Sequence, residues 1–434
     1  MSQQIESTPR KGLGALSAWT APVHRDGLAL VLSSGLSSAI GLLYWVLVAR
    51  LFTPEVAGVN SAALATLNML GAIAHLNMQN ALLRFVPVAG TGTKRLVAGA
   101  YAAAITAAAL TGIVFALGAP VWAPEMVAVA GLGALVVFFA IGTPLMSIFD
   151  VQDNLLTGLG RAMVVPVENL VFALLKIGLL VLAASVAIPG GIALSWVIAT
   201  AVAVLAISSW VFVKLVPRHA AKPTAVEPIT IKGIARFAGA DYTGSIFWQC
   251  AIYGIPLLAL SRIGAGYAAT YQIVWTMAMA LYLVVTGMTQ SMVAHAANDP
   301  AGAREARRAT SRRALMLTVP AVAILTLGAH PILSIFGGYY AETGTWALVL
   351  CALSALPNIV TASALAMARV QRRMAVLIVV PATISVIVIA GSWVLMPAWG
   401  LVGVGASWLV GQSVVAAVLT VTERRHEREP LPAV

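Results

Sequence analysis

Long apolar stretches alternate with short polar connectors along the whole chain. Each stretch holds roughly 20 residues, the length that an α-helix needs to cross a hydrocarbon core of about 30 Å. The pattern therefore predicts an all-α membrane protein with twelve transmembrane helices. The stretches cover residues 27–49, 58–82, 97–118, 126–149, 164–186, 191–213, 237–261, 266–290, 314–336, 344–367, 374–396 and 400–421.

The polar segments divide this pattern into two six-helix bundles. We predict bundles over 27–213 and 237–421, joined by a linker at 214–236, with polar tails at 1–26 and 422–434. The first apolar stretch is longer than a signal-peptide core and no small-residue cleavage site follows it, so we expect it to remain as a helix. No connector is long enough for a further folded domain, and the chain is expected to carry no ATPase of its own.

The basic residues indicate how the helices are oriented in the membrane. Of the 26 Lys and Arg residues, 23 lie in or beside every second connector. Because Lys and Arg favour cytoplasmic loops, both termini, the linker and these connectors are predicted to be cytoplasmic. Arg50 and Arg262 lie instead in connectors on the opposite side, and Lys176 lies inside the fifth apolar stretch. Charge in or beside hydrocarbon is costly to keep, so these three residues are candidates for function.

Composition supports a membrane protein and excludes several other classes. Hydrophobic residues make up 60% of the chain and charged residues 9%, far from the composition of soluble proteins. The net charge of +11 could suggest nucleic acid, but the basic residues are scattered among short loops, so we expect no nucleic-acid partner. The two cysteines, Cys250 and Cys351, both lie in predicted helices, which argues against a disulfide framework or a cysteine metal site. We expect no metal and no cofactor.

The second bundle repeats the first at an offset of 212 residues. The segment 191–196 (GIALSW) opens the sixth stretch, and 403–408 (GVGASW) lies in the twelfth. Arg50 and Arg262 close the first stretch of each bundle at the same offset. A six-helix unit crosses the membrane an even number of times, so its copy enters in the same direction. We therefore predict a pseudo-twofold axis along the membrane normal, with the substrate path between the bundles.

Lys176 lies near the middle of the fifth stretch. A lysine at that depth costs about 2.5–3.5 kcal/mol on insertion scales, so it needs a partner, a water-filled cavity or an anionic substrate. Glu168 is about 12 Å away along the same helix and about 80° around it, too far for direct pairing. Two interpretations remain open: Lys176 pairs with an acid on another helix, or it is a cavity cation that attracts phosphate.

Polar side chains form one stripe on the second predicted helix and another on the eighth, its repeat partner. Such stripes either bind neighbouring helices together or face an aqueous cleft, and the pattern leaves both interpretations open. His75 by itself is better explained as a satisfied interhelical donor than as a proton carrier. The stripes are Asn60, Asn68, His75 and Gln79, and Gln272, Thr276, Thr286 and Gln290.

Acidic residues near the helix starts have both structural and functional interpretations. Asp26 and Asp241 lie near the cytoplasmic ends of the first helix of each bundle, where the helix dipole favours negative charge. Asp26 is interpreted as a helix cap. Asp241 lies further inside and is a candidate, with Glu168, for coupling to a cation or proton. Arg50 and Arg262 either anchor helix ends to lipid headgroups or form a ring of charge at the outer mouth of a cleft.

Three short segments resemble bacterial polysaccharide flippases. Residues 49–58 (ARLFTPEVAG) are similar to a family segment of the form ARLL-x-P-E-x-x-G, and 81–87 (ALLRFVP) and 397–403 (PAWGLVG) are similarly placed. These flippases belong to the multidrug/oligosaccharidyl-lipid/polysaccharide exporter superfamily. The resemblance covers nearly the whole chain and implies the twelve-helix, two-bundle MATE-like fold.

The resemblance also implies a substrate, a location and partners. It implies an undecaprenyl-diphosphate-linked saccharide that moves from the cytoplasmic to the outer leaflet of the bacterial inner membrane. Membrane lipid and this polyprenyl-diphosphate-linked glycan would be the partners, with a glycan polymerase or glycosyltransferases as further candidates. Family members often line the cavity with Arg and Lys, which here implies Lys176, Arg50, Arg84 and Arg262. This chain departs from the family in having a single cation in the middle of a helix.

Three other functions compete with the flippase. An ion-coupled drug antiporter of the same fold would need a buried acid, and Glu168 or Asp241 could serve. A membrane polymerase or ligase would be an enzyme, but it needs a sizeable outer loop with catalytic residues, and the outer connectors here are short. A scaffold that recruits a glycan-assembly complex is the third. We expect a transporter and not an enzyme.

Overall fold

A computed structural model of the chain describes residues 40–221, 231–298, 303–371 and 373–426. All regular secondary structure in these ranges is helical. Eleven helical segments of the described residues are long and apolar enough to cross a membrane, and one of them, Gly338–Val370, consists of two consecutive helices. The predicted all-α membrane class is therefore confirmed.

The first predicted stretch, 27–49, is only partly described, as the shorter apolar helix Ile40–Leu51. Asp26 and most of the two predicted tails lie outside the described residues, as do residues 222–230 of the linker. The cytoplasmic position of the termini therefore stays a prediction.

The helices fall into a first half, before the linker, and a second half after it. Those of the first half are α1 (Ile40–Leu51), α2 (Pro54–Ala74), α3 (Met78–Phe85), α4 (Thr93–Trp122), α5 (Pro124–Ala130), α6 (Leu132–Gly158), α7 (Val164–Ser185), α8 (Gly191–Trp210) and α9 (Val216–Ala220). Those of the second half are α10 (Ile231–Ile263), α11 (Ala265–Asn298), α12 (Ala303–Leu327), α13 (Ala329–Ser334), α14 (Gly338–Leu353), α15 (Ala355–Val370), α16 (Met374–Trp399) and α17 (Leu401–His426).

Helix α7 shows how the sequence separates a lipid-facing surface from an inward one. Val167, Val171, Leu174 and Leu182 recur at helical spacing and are all exposed, as expected for side chains in contact with lipid. Positions 168, 172, 176 and 180 recur every four residues on another face, and Glu168, Lys176 and Leu180 there are buried. This spacing turns Lys176 toward the interior of the first half.

The second predicted stretch is broken where neither glycine nor proline is present. Helix α2 ends at Ala74, and α3 begins at Met78. Between them, Leu76 and Asn77 have φ angles of 51° and 56°, in the left-handed region that few non-glycine residues adopt. The His75 ring accepts a hydrogen bond from the Asn77 backbone N–H at 3.0 Å, which helps to hold this turn. The break differs from the single helix that the apolar pattern suggested.

The internal repeat is visible in the packing of two glycines. A Cβ added to Gly191 would lie 2.6 Å from Ala183 Cβ, and one added to Gly403 would lie 2.7 Å from Leu395 Cβ. Each glycine thus packs against the residue eight positions earlier, on the preceding helix, and both pairs are related by the offset of 212. Only a hydrogen atom fits at these two positions, which explains why the repeat kept glycine at both.

Helix α2 lies between the two halves and contacts both α10 and α11 of the second half. The approach is tightest near its start, where a Cβ added to Gly58 would lie 1.7 Å from the Ala265 carbonyl oxygen. This is the outer end of the helices, defined here as the end away from the Lys- and Arg-rich connectors. At the inner end, the Tyr242 hydroxyl of α10 donates a hydrogen bond to the Ile73 carbonyl of α2.

Candidate functional site

The Lys176 ammonium group is enclosed by aromatic rings. Its Nζ lies 3.6 Å from the ring centroid of Trp196, 4.5 Å from that of Tyr44 and 4.9 Å from that of Phe172. We call these three rings the lysine cage. Lys176 is only 4% exposed, and no carboxylate or hydrogen-bond acceptor of the described residues contacts it. The expected acid on another helix is not found among the described residues, and cation–π contacts take its place.

Hydrogen bonds and ring contacts fix the lysine cage in place. The Tyr44 hydroxyl of α1 donates to the Ile192 carbonyl at 3.1 Å and lies 3.2 Å from Ser195 Oγ, both on α8. The Tyr44 and Trp196 rings meet edge to face at 5.4 Å. Three helices therefore converge on Lys176 with rigid side chains, and the charge remains inside the first half without a compensating negative group among the described residues.

The corresponding place in the second half has rings but no cation. Trp408, the repeat partner of Trp196, stacks on Trp275 at 4.2 Å and donates through Nε1 to the Tyr271 hydroxyl at 3.0 Å. Val388, fully buried, occupies the position that corresponds to Lys176. The cation is thus confined to the first half.

Three carboxylates lie where α6 and α7 meet, toward the inner end of the first half. We call Asp150, Asp153 and Glu168 the carboxylate cluster. Glu168 is 6% exposed, and its Oε1 accepts a hydrogen bond from Nε2 of Gln152, which is fully buried. No basic side chain of the described residues forms an ion pair with the cluster. Glu168 therefore pairs with an amide and not with Lys176.

Asp150 and Asp153 were not among the residues expected from the sequence. The predicted fourth stretch ended at residue 149, because the hydropathy falls there, whereas α6 continues to Gly158 and carries both acids inside a helix. A spacing of three residues places Asp150 and Asp153 on one helical face, next to Gln152. This spacing is the sequence signal that could have indicated them.

The two repeat-related arginines have different partners. Arg50 donates from Nε and Nη2 to the Ile335 carbonyl, at 3.0 Å and 2.7 Å, and from Nη2 to the Ser334 carbonyl at 3.5 Å. These carbonyls end α13 in the second half, so Arg50 connects the halves at the outer end. Arg262 instead lies 3.7 Å from the Trp393 ring centroid, inside its own half. A symmetric ring of charge is not what the structure shows.

Arg50→Ala is expected to loosen the outer end, because three hydrogen bonds between the halves are lost. Spin labels at Leu51→Cys and Gly338→Cys, in a background without the native cysteines, would then show a larger population at long distance. Arg262→Ala is the matched control, since it removes the repeat-related charge but no contact between the halves. An identical distance distribution in both variants would show that Arg50 does not hold the outer end.

Asn60 connects helices of the first half. Its Nδ2 donates to the Val56 and Pro189 carbonyls, both at 2.9 Å, and its Oδ1 accepts from the Ala193 N–H at 3.0 Å. This favours the helix-binding interpretation for Asn60. Asn68 is half-buried, and its amide donates only to the Leu64 carbonyl one turn earlier on the same helix.

Asn60→Ala is expected to lower the free energy of unfolding by about 1–3 kcal/mol, the usual cost of buried polar groups left without a partner. Asn68→Ala, the matched control, should change it much less because only a bond within one helix turn is lost. Denaturant unfolding of both variants in detergent measures the difference. Equal destabilisation would contradict a helix-binding role specific to Asn60.

The other sequence candidates are dispersed. Gln272 Nε2 lies 3.4 Å from Thr276 Oγ1 on α11, and no hydrogen bond between described residues joins this stripe to that of α2. Arg84 is exposed at the end of α3, 5.5 Å from the Phe85 ring, while Gln79 is half-buried. His75 is buried and Thr286 exposed. The side chains of Asp241 and Gln290 lie outside the described residues, so their roles stay predictions.

The described side chains offer no metal centre. Among them, no group of three or more His, Cys, Asp or Glu residues is placed to hold a metal ion. What the first half does provide is one caged cation near mid-membrane and, eight residues away along α7, an anionic cluster. This arrangement suits the binding of charged groups.

A comparison with solved structures finds similar proteins along nearly the whole chain. An inward-facing multidrug resistance MATE family transporter of the MOP superfamily aligns with a TM-score of 0.69 and 16% identity, covering 90% of this chain and 94% of that one. The lipid II flippase MurJ, in an inward closed conformation, aligns with a TM-score of 0.70 and 12% identity, covering 92% and 87%. The chain has the MATE fold.

These alignments confirm the MATE-like fold expected from the sequence. An outward-facing MATE transporter aligns with a lower TM-score, 0.59, at 15% identity and with coverages of 91% and 94%. No model of a known protein family matches the sequence, and no curated protein sequence does.

Proposed function

We propose that this protein is a flippase that moves an undecaprenyl-diphosphate-linked saccharide from the cytoplasmic to the outer leaflet of the bacterial inner membrane. One observation supports it most: the buried Lys176 cation has only aromatic partners among the described residues. A cation at mid-membrane without an acid favours an anionic cargo. The proteins that share this fold include the lipid II flippase MurJ, which is consistent with a flippase.

The chemistry of such a lipid explains why a fixed cation is useful. A diphosphate and its sugars cannot cross hydrocarbon unaided, because each unsatisfied polar group costs several kcal/mol there. A positive charge inside the protein replaces part of the hydration that the diphosphate loses. The rings hold Lys176 while no anion is present, and a diphosphate, which binds an ammonium group more strongly than a ring does, would draw Nζ away from them. The prenyl tail would remain in lipid throughout.

An ion-coupled multidrug antiporter is the second candidate. Its specific support is the carboxylate cluster, because buried acids attract cationic drugs and coupling ions, and MATE multidrug transporters share the fold. Lys176 argues against it, since a caged cation in the same half repels a cationic cargo. A polymerase or ligase has less support: the outer connector between α1 and α2, for example, is only Phe52 and Thr53.

Reconstitution into liposomes separates these candidates. We expect a fluorescent undecaprenyl-diphosphate saccharide to move between the two leaflets only when the protein is present. A membrane-impermeant quencher measures this movement, because it reaches only the lipid in one leaflet. We expect no accumulation of ethidium, an organic cation, under a proton or sodium gradient. Ethidium transport without lipid movement would overturn the flippase in favour of the antiporter, and a chain-lengthened glycan in the lipid extract would indicate an enzyme.

A further inference from the structure

The break between α2 and α3 is not explained by the residues that form it. Residues 74–79 (AHLNMQ) contain neither glycine nor proline, and alanine, leucine, methionine and glutamine are among the residues that favour a helix most. Leu76 and Asn77 nevertheless both have positive φ angles, 51° and 56°. Such a costly conformation persists only where the surrounding structure holds it, so the cause lies in tertiary contacts.

The equivalent segment of the second half is a continuous helix. At the offset of 212, residues 74–77 correspond to 286–289, which lie inside α11. Gly287 takes the place of His75 there, and α11 continues through it without interruption. The fold therefore accepts a continuous helix at this position. The half that breaks is the one whose residues favour the helix more.

The Ile73 carbonyl oxygen connects the break to the second half. In a continuous helix this oxygen would accept a hydrogen bond from the Asn77 backbone N–H, four residues later. Here the Asn77 N–H donates to the His75 ring at 3.0 Å, and the Tyr242 hydroxyl of α10 donates to the Ile73 carbonyl. The remaining contact of this carbonyl, from the Leu76 N–H, is long at 3.4 Å. The second half thus occupies the acceptor that an unbroken helix would use.

We propose that the α2–α3 segment is a two-state switch at the inner end: it is broken while Tyr242 holds the Ile73 carbonyl, and it becomes one helix when the halves separate there. Separation removes the hydroxyl, and a buried carbonyl without a donor is costly. Asn77 N–H is the donor that helix geometry brings to this oxygen. The same step releases both positive φ angles, so the strain of the broken form favours opening.

The switch changes which polar side chains share a face. In an unbroken helix, Asn68, His75 and Gln79 lie on one side, as the sequence pattern predicts. In the broken form α3 has its own direction, and the stripe is interrupted after Asn68. The stripe is therefore complete only in the state that is open at the inner end. The proposal rests on movement of the two halves and not on the identity of the transported molecule.

Double electron–electron resonance on the full-length protein in lipid nanodiscs tests the switch without any substrate. Spin labels at Glu55→Cys and Leu83→Cys, both exposed positions, flank the break in a background without the native cysteines. An unbroken helix would place these positions about 42 Å apart, and the break shortens that distance. Tyr242→Phe should raise the ratio of long to short distances about fivefold, the effect of losing one hydrogen bond. Tyr253→Phe is the matched control on the same helix, because its hydroxyl has no hydrogen bond to a described residue.

Substitutions at Leu76 test whether the lengthening arises at the break. Leu76→Gly removes the cost of a positive φ angle and weakens the helix, whereas Leu76→Ala favours the helix. Combined with Tyr242→Phe, the glycine should restore the short distance and the alanine should not. Leu76 is 38% exposed, so both substitutions remove little packing and form a matched pair.

Two results would overturn the switch. Identical distance distributions in Tyr242→Phe and Tyr253→Phe would show that the hydroxyl does not hold the break. A long distance in Tyr242→Phe that persists with Leu76→Gly would show that the lengthening does not arise at residues 76 and 77. If the lipid-linked saccharide is not moved in liposomes, the flippase assignment fails, while the distances still decide the switch because they are measured without substrate.

Discussion

Lys176→Met is expected to slow flipping of the lipid-linked saccharide by about 10–100-fold, the effect of losing a charge-assisted contact worth roughly 1.5–3 kcal/mol. Methionine has a similar length, and its sulfur packs well against aromatic rings, so the lysine cage should remain filled and the protein folded. Lys176→Arg should retain most of the activity, because a guanidinium group keeps the charge and stacks on aromatic faces.

The flipping rate in liposomes, normalised to the amount of folded protein, measures this effect. Lys214→Met is the matched control: it makes the same chemical change at an exposed lysine near the inner end of the first half and should leave the rate unchanged. Wild-type rates for Lys176→Met would remove Lys176 from substrate binding and with it the main support for an anionic cargo.

Gly58→Ala is expected to disrupt the contact between α2 and α11 at the outer end. The added Cβ would lie 1.7 Å from the Ala265 carbonyl oxygen, 2.3 Å from its carbonyl carbon and 2.8 Å from its Cα. All three are backbone atoms, so no side-chain rotation can relieve the overlap, and α2 and α11 must separate. Overpacking of well-packed cores typically costs about 1–3 kcal/mol, and this overlap is severe enough that we expect the upper end of that range.

Thermal unfolding and the outer-end distance together measure the effect of Gly58→Ala. Gly178→Ala is the matched control, because an added Cβ there meets nothing within 4 Å. Within a helix that change should stabilise by about 0.5–1 kcal/mol. If Gly58→Ala unfolds at the wild-type temperature and keeps the wild-type distance between positions 51 and 338, the tight contact is not a feature of the protein in solution.

The helices could be predicted from the sequence because their signal is local. Twenty apolar residues indicate a membrane helix wherever they occur, and the position of Lys176 within one could be read directly. The lysine cage could not be predicted in the same way, since Tyr44 is 132 residues away in the chain and meets Lys176 only through helix packing. The break at Leu76 and Asn77 was also missed, because leucine rarely adopts a left-handed conformation and a single asparagine inside an apolar stretch is too weak a signal to indicate a turn.

The carboxylate cluster shows a different limit of sequence reasoning. Hydropathy ends a predicted helix where polar residues begin, although a helix near the membrane surface can continue through them, as α6 does to Gly158. Asp150 and Asp153 were therefore assigned to a connector. Arg50 and Arg262 show the opposite error: equal sequence positions suggested equal roles, but only Arg50 reaches the other half.

Three of the described contacts that join the halves share one property, which has consequences for comparative genomics. Arg50 donates to the carbonyl of Ile335, Tyr242 donates to that of Ile73, and Gly58 faces the backbone of Ala265. Every residue type supplies a backbone carbonyl, so the second partner of each pair is free to vary. Covariation between aligned sequences will therefore report the interior of each bundle but leave these gating contacts undetected. We expect aligned sequences to conserve Arg50, Gly58 and Tyr242 individually, without a matching change at the partner position.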